Sequence, residues 1–163
     1  MKYFLLSLGA LAILSACSPS ADYTSPLPKK MPDDFNISLK YGVTMANELN
    51  TYENTYTKDL ISDGTASTEM PLTEDERLFI YEKLRSVDLL ALPTQMGSTC
   101  VVPFERYDLM MTADGEELTF EWDTSCDTEK LNKWEEVMKD IHKEIIYKRS
   151  EYQELPEASG GYL

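Results

Sequence analysis

Two segments of alternating apolar and polar residues, separated by Asp114-Gly115, predict a β-hairpin that lies between two cysteines. A period of two is typical of strands with one buried face, and Asp-Gly is a preferred hairpin turn. Because Cys100 precedes the first strand and Cys126 follows the second, antiparallel pairing brings both thiols to the same open end. We therefore predict a Cys100–Cys126 disulfide. The apolar positions expected to line the core are Tyr107, Leu109, Met111, Leu118, Phe120 and Trp122.

Further strands are predicted upstream. A segment with the same alternation ends at Gly42, and its apolar positions are Phe35, Ile37, Leu39 and Tyr41. Residues 49–52 and 55–61 flank Glu53-Asn54 and predict a second hairpin. Asp63-Gly64 forms another turn, and residues 65–70 supply one more short strand. We expect an antiparallel sheet of about five strands.

Two helices complete the predicted domain. Thr73 and Glu76 form a capping box, in which each side chain satisfies a free backbone amide of the other residue. This helix should run to about Val87 and bury Phe79, Ile80, Leu84 and Val87. The second helix should be capped near Asp127 or Thr128 and bury Leu131, Trp134, Val137, Met138, Ile141 and Ile145. The fold class is therefore α+β, with both helices packed on the sheet.

The N-terminus has the parts of an export signal. Lys2 supplies positive charge, residues 4–14 are mostly apolar, and two small residues follow. About 20 apolar residues are needed to span a bilayer, so this run is too short to be a permanent membrane helix. We expect a cleaved signal peptide over residues 1–16.

The sequence Leu14-Ser15-Ala16-Cys17 resembles the lipobox of bacterial lipoproteins. This resemblance implies that Cys17 receives a diacylglyceryl group, that cleavage occurs just before it, and that the new amine is often acylated, for example with palmitate. Several acyl chains hold a protein durably to a bilayer. The alternative is an ordinary signal peptide with a cysteine near its cleavage site.

Composition divides the mature chain into a tether and a domain. Residues 17–32 are rich in proline and small polar residues, which is typical of an extended linker without a core. Residues 33–163 have the length of a single domain. The expected location is the extracytoplasmic face of the cell membrane. In a Gram-negative source, Ser18 would be compatible with sorting to the outer membrane.

The chain is strongly acidic, with 15 Lys and Arg against 29 Asp and Glu and a formal net charge of −14. Nucleic acid is therefore not an expected partner, because binding to phosphates requires clustered basic residues. Two interpretations of the acidity stay open. It can serve solubility alone, or it can match a cationic partner.

An extracytoplasmic location also favours oxidation of the remaining cysteines, Cys100 and Cys126. The alternative is a redox or metal-binding pair, but the C-x-x-C spacing and a nearby histidine are both missing from the sequence. A disulfide is therefore the preferred prediction.

No catalytic motif is recognisable, and no cofactor or metal is predicted. His142 is the only histidine, and its place beside the apolar stripe of the second helix indicates a solvated or half-buried structural role. The acidic clusters 73–76 and 114–117 lack the spacing of a calcium loop, and cap and turn roles account for both. Five tyrosines are candidates for a protein-binding surface: Tyr23, Tyr52, Tyr56, Tyr152 and Tyr162.

Residues 49–60, 80–84 and 155–163 resemble a group of small lipoproteins of Bacillus-type Gram-positive bacteria. That group has no assigned activity, so the resemblance implies location and a single domain without a catalytic residue. We expect a non-catalytic module that binds another envelope or secreted protein. The alternatives are an envelope-acting hydrolase whose carboxylates assemble only in three dimensions, and a lipoprotein that binds a cation or small ligand.

Overall fold

The computed structural model of the protein describes residues 25–92, 100–126 and 128–162. A six-stranded antiparallel sheet forms its centre, in the order β4-β3-β2-β1-β5-β6. The predicted signal peptide, Cys17 and Tyr23 lie outside the described residues. The strands are β1 (Asn36–Gly42), β2 (Asn47–Asn50), β3 (Thr55–Asp59), β4 (Thr65–Glu69), β5 (Arg106–Ala113) and β6 (Glu116–Asp123).

The α+β class is confirmed, but the sheet has six strands rather than about five. Each of the six overlaps a segment predicted from the sequence, and the short strand predicted over residues 65–70 is β4. It is an edge strand that pairs along its whole length with β3. Thr55 lies opposite Glu69 at one end of this pairing, and Asp59 lies opposite Thr65 at the other.

The strand β1 is at the centre of the sheet, where Leu39 faces Leu49 of β2 and Leu109 of β5. The inward side chains of these strands are buried, and alternation places polar side chains on the opposite face. The predicted burial of Leu118 and Phe120 is only partly correct: both are half-buried, because β6 is an edge strand.

Helix α1 (Glu74–Arg85) begins with the predicted capping box and ends two residues before the predicted end at Val87. Ile80 and Leu84 are buried as predicted, and Phe79 is half-buried. Tyr81 is fully buried, which the sequence pattern did not indicate. The segment preceding β1 covers this side of the helix.

The packed domain therefore begins before residue 33, within the segment that precedes β1. Leu27 is 4% exposed, and the Tyr81 hydroxyl donates a hydrogen bond of 2.8 Å to the Pro28 carbonyl. Arg85 donates a hydrogen bond to the Lys29 carbonyl. A proline-rich chain leaves its carbonyls without partners in secondary structure, and α1 supplies donors for them. The C-terminal part of the predicted tether is therefore part of the domain.

Helix α2 (Glu129–Glu144) is capped by Thr128, whose hydroxyl accepts a hydrogen bond from the Leu131 amide. The other candidate cap, Asp127, lies outside the described residues. The predicted stripe is buried, but Ile145 follows the end of the helix. A short 3-10 turn (Ile146–Lys148) and helix α3 (Ser150–Gln153) come next.

A disulfide joins Cys100 and Cys126, with the Sγ atoms 1.95 Å and the Cα atoms 5.0 Å apart. The amide of Val101 donates a hydrogen bond to the Ser125 carbonyl, which extends the pairing of β5 and β6 toward this bond. The disulfide therefore closes the open end of the hairpin, as predicted.

None of the helices in the described ranges combines the length and the apolar character needed to cross a bilayer.

Candidate ligand-binding cleft

An open cleft of about 520 Å³ lies between the sheet, α2 and the chain that follows α2. On the sheet side, β1 and β5 place Tyr41 and Tyr107 directly opposite each other, and β3 contributes Tyr56. The other lining residues are Asn47, Glu105, Thr124, Glu135, Met138, Lys139, His142, Tyr147 and Tyr152.

The helical side of the cleft follows from the period of α2. Glu135, Met138, Lys139 and His142 are separated by three, one and three residues, so their side chains lie on one face of the helix. Met138 is buried, His142 is half-buried and Lys139 is exposed. Along this face of α2, the side chains therefore change from apolar next to the core to charged next to solvent.

Three polar side chains form a hydrogen-bonded chain along the cleft. The hydroxyls of Tyr41 and Tyr56 are 2.7 Å apart, and His142 Nε2 is 2.9 Å from the Tyr41 hydroxyl. Both tyrosines are buried. The chain satisfies polar groups that would otherwise be costly to bury and fixes the orientation of both phenol rings.

A second polar pair is fixed by the aromatic core. The Tyr107 hydroxyl donates a hydrogen bond to the carboxylate of Glu105. Its ring stacks on Trp122, with centroids 5.2 Å apart, and contacts the edge of Trp134 at 5.9 Å. Tyr107 is thus held from behind by two tryptophans while its hydroxyl orients Glu105.

The outer wall of the cleft is also aromatic. Tyr147 is 51% exposed, and its ring lies nearly parallel to that of His142, with centroids 5.5 Å apart. Tyr152 lies 5.3 Å from Tyr147 and 5.5 Å from Tyr56. The aromatic surface therefore continues from the floor of the cleft to solvent.

Burial favours the uncharged forms of three tyrosines of the cleft and of His142. Desolvation raises the pKa of Tyr41 and of Tyr56, and it also raises the pKa of Tyr107, with the bond to Glu105 acting in the same direction. Desolvation lowers the pKa of His142 below its usual value of 6.5, against the opposing effect of Glu105. At neutral pH the cleft therefore has neutral phenols and a neutral imidazole.

His142 is half-buried, which is one of the two environments predicted for it, and its contact with Tyr41 was not expected. Of the candidate tyrosines, Tyr56 and Tyr152 line the cleft. Tyr52 lies elsewhere and contacts Thr112 through its hydroxyl, while Tyr162 hydrogen-bonds to Asp59 and Thr44. Sequence reasoning missed Tyr41, Tyr107 and Tyr147 as site residues.

The acidic clusters have the predicted structural roles. The box of Thr73 and Glu76 caps α1. In the other cluster, Asp114 and Gly115 form the turn between β5 and β6. The Asp34 carboxylate accepts hydrogen bonds from the amides of Gly115 and Asp114, and these bonds lower the pKa of Asp34. Across the described parts of the chain, no group of three or more His, Cys, Asp or Glu side chains is placed to hold a metal ion.

Comparisons of this chain with protein-family models, with curated proteins and with solved structures find no match.

Proposed function

We propose that this protein is a membrane-anchored, extracytoplasmic lipoprotein whose domain binds a small polar ligand in the tyrosine-lined cleft without converting it chemically. The observation that carries this proposal is the convergence of five tyrosines and His142 on one open cavity. The proposal favours a small ligand over the protein partner first expected from the sequence.

The size and lining of the cleft support ligand binding. Its volume of about 520 Å³ is within the range of small-molecule sites, and rigid aromatic rings with oriented hydroxyls provide both contact area and directionality. The Tyr41–Tyr56–His142 chain fixes these groups before a ligand arrives. Preorganisation of this kind lowers the entropy cost of binding.

Hydrolysis is less well supported by the same geometry. The cleft contains Glu105 and Glu135, but Glu105 is exposed and its carboxylate accepts a hydrogen bond from Tyr107. Acid–base catalysis by two carboxylates requires environments that push their pKa values apart, usually by burying one of them. Glu105 is exposed and Glu135 is half-buried, so neither carboxylate of the cleft is buried.

A protein partner remains a second candidate because of one surface feature. Val101 and Val102, next to the disulfide, are 56% and 76% exposed. A partner that covered these two side chains would bury apolar surface, which favours association. Photo-crosslinking from position 102 in the native envelope would identify such a partner.

The ligand-binding proposal predicts a localised response in a small-molecule screen. We expect at least one compound class to raise the melting temperature saturably, since a ligand of the folded state stabilises it. The same compound should shift the NMR signals of labelled His142 and Tyr147. Tyr147→Leu should weaken binding roughly 5-fold or more, because it removes an aromatic contact surface.

Tyr52→Leu is the matched control, because Tyr52 is also an exposed tyrosine but lies outside the cleft. This variant should bind like the wild type. Ligands that shift signals elsewhere, or that respond equally to both substitutions, would contradict the proposal.

The anchor is supported by the export signal and by Cys17 in the lipobox. Cys17→Ser should release the chain from the membrane or leave its precursor uncleaved, because the acylated sulfur is removed. Fractionation and metabolic labelling with a tagged fatty acid measure both effects. Cys100→Ser is the control and should keep the label. A mature-sized Cys17→Ser protein that stays in the membrane fraction would refute the anchor.

A further inference from the structure

The formal charges of the cleft favour a positively charged ligand. Among the lining residues, Glu105 and Glu135 provide two carboxylates, whereas Lys139 provides one ammonium and His142 is neutral at neutral pH. Lys58, next to the cleft, is paired with Glu157 at 3.6 Å. The whole chain carries a formal charge of −14, which adds a negative potential around this site. An anion would be repelled by the carboxylates of the cleft and by the net negative charge of the chain.

The aromatic lining is suited to the same charge. The face of a tyrosine ring attracts an ammonium within about 6 Å of its centroid, most strongly where water is excluded. The protein already makes this contact next to the cleft, where Lys58 Nζ lies 4.9 Å from the centre of the Tyr152 ring.

We propose that the cleft binds an organic cation with an alkylammonium group, placed against the tyrosine rings and between the carboxylates of Glu105 and Glu135. This inference rests on the proposed ligand-binding function and names its ligand class. The ammonium can belong to a free amine or to a lysine side chain of a peptide, and the experiment below distinguishes these sources.

Other ligand classes fit less well. Among the residues described along the cleft, Met138 is the one aliphatic side chain, so a lipid tail would lie against hydroxyls and charges. A neutral sugar can stack on Tyr147, but it gains nothing from the two carboxylates. The ammonium uses the rings and the acids together.

The test compares choline with 3,3-dimethylbutan-1-ol, which has the same shape but no charge. Calorimetric titration of the full chain at pH 7.5 and low salt should show choline binding at least 10-fold more tightly than the neutral alcohol. Diaminopentane and a blocked Gly-Lys-Gly peptide test the source of the ammonium: a free-amine site prefers the diamine, whereas a peptide site prefers the peptide.

Two matched pairs of variants locate the site. Glu135→Gln should weaken choline binding about 3- to 5-fold, as expected for one partly exposed charge. Glu136→Gln removes the same charge from a neighbouring position outside this cleft and should change binding less than about 2-fold. Tyr147→Phe should retain binding, while Tyr147→Leu should weaken it roughly 5-fold or more.

Equal binding of choline and its neutral isostere would overturn the inference, as would equal effects of the two glutamate substitutions. If methyl glucoside shifts the His142 and Tyr147 signals while no ammonium compound binds, the cation inference fails and the ligand-binding function stands. If neither methyl glucoside nor any ammonium compound binds, the cation inference fails, and the small-molecule screen tests the ligand-binding function separately.

Discussion

Replacing Cys100 and Cys126 together with serine should lower the free energy of unfolding by about 3 kcal/mol, with a fall in melting temperature of roughly 10 °C. The bond closes a loop with a sequence separation of 26 and therefore restricts the unfolded chain. It also holds the open end of the β5–β6 hairpin, next to Glu105 and Thr124 of the cleft. Urea denaturation followed by fluorescence measures the loss.

The wild-type protein in reducing buffer provides the control for this prediction. It should unfold at the same urea concentration as the double serine variant, because both lack the cross-link. Oxidised wild type and double variant with equal stability would mean that the disulfide does not contribute to the fold.

Trp134→Ala should destabilise the domain by about 3 to 5 kcal/mol, the usual cost of deleting a large buried aromatic side chain. Trp134 is 0% exposed and packs edge-on against Trp122 at 4.4 Å and against Tyr107 at 5.9 Å. Its indole N–H has no hydrogen-bond partner among the described residues, so the cost comes from lost packing. Chemical denaturation gives the value.

Trp134→Phe is the conservative control. It keeps an aromatic ring in the same position and should lose clearly less stability than the alanine variant. An alanine variant that loses less than about 1 kcal/mol would contradict the burial of this side chain, since cavities of that size cost more.

Local patterns predicted the secondary structure well because their physical causes are local. The turn at Asp114-Gly115 and the alternation on both sides specify the β5–β6 hairpin without reference to the rest of the chain. The capping box of α1 likewise depends on two side chains one turn apart. The stripe of α2 follows from the helical period alone.

Features that depend on distant pairing were missed. Alternation indicates that Tyr41 and Tyr107 point inward, but only the register of β1 against β5 places them side by side. The contact of His142 with Tyr41 joins residues 101 positions apart. The burial of Tyr81 depends on a proline-rich segment whose composition is typical of a linker.

The early start of the packed body limits how far the domain could stand from a bilayer when Cys17 carries the proposed anchor. With Leu27 fixed in the core, the proposed anchor at Cys17 is separated from it by ten residues of chain. Even fully extended, such a length reaches at most about 35 Å. With the proposed lipid anchor in place, the start of the packed body would therefore lie within about 35 Å of the lipid headgroups.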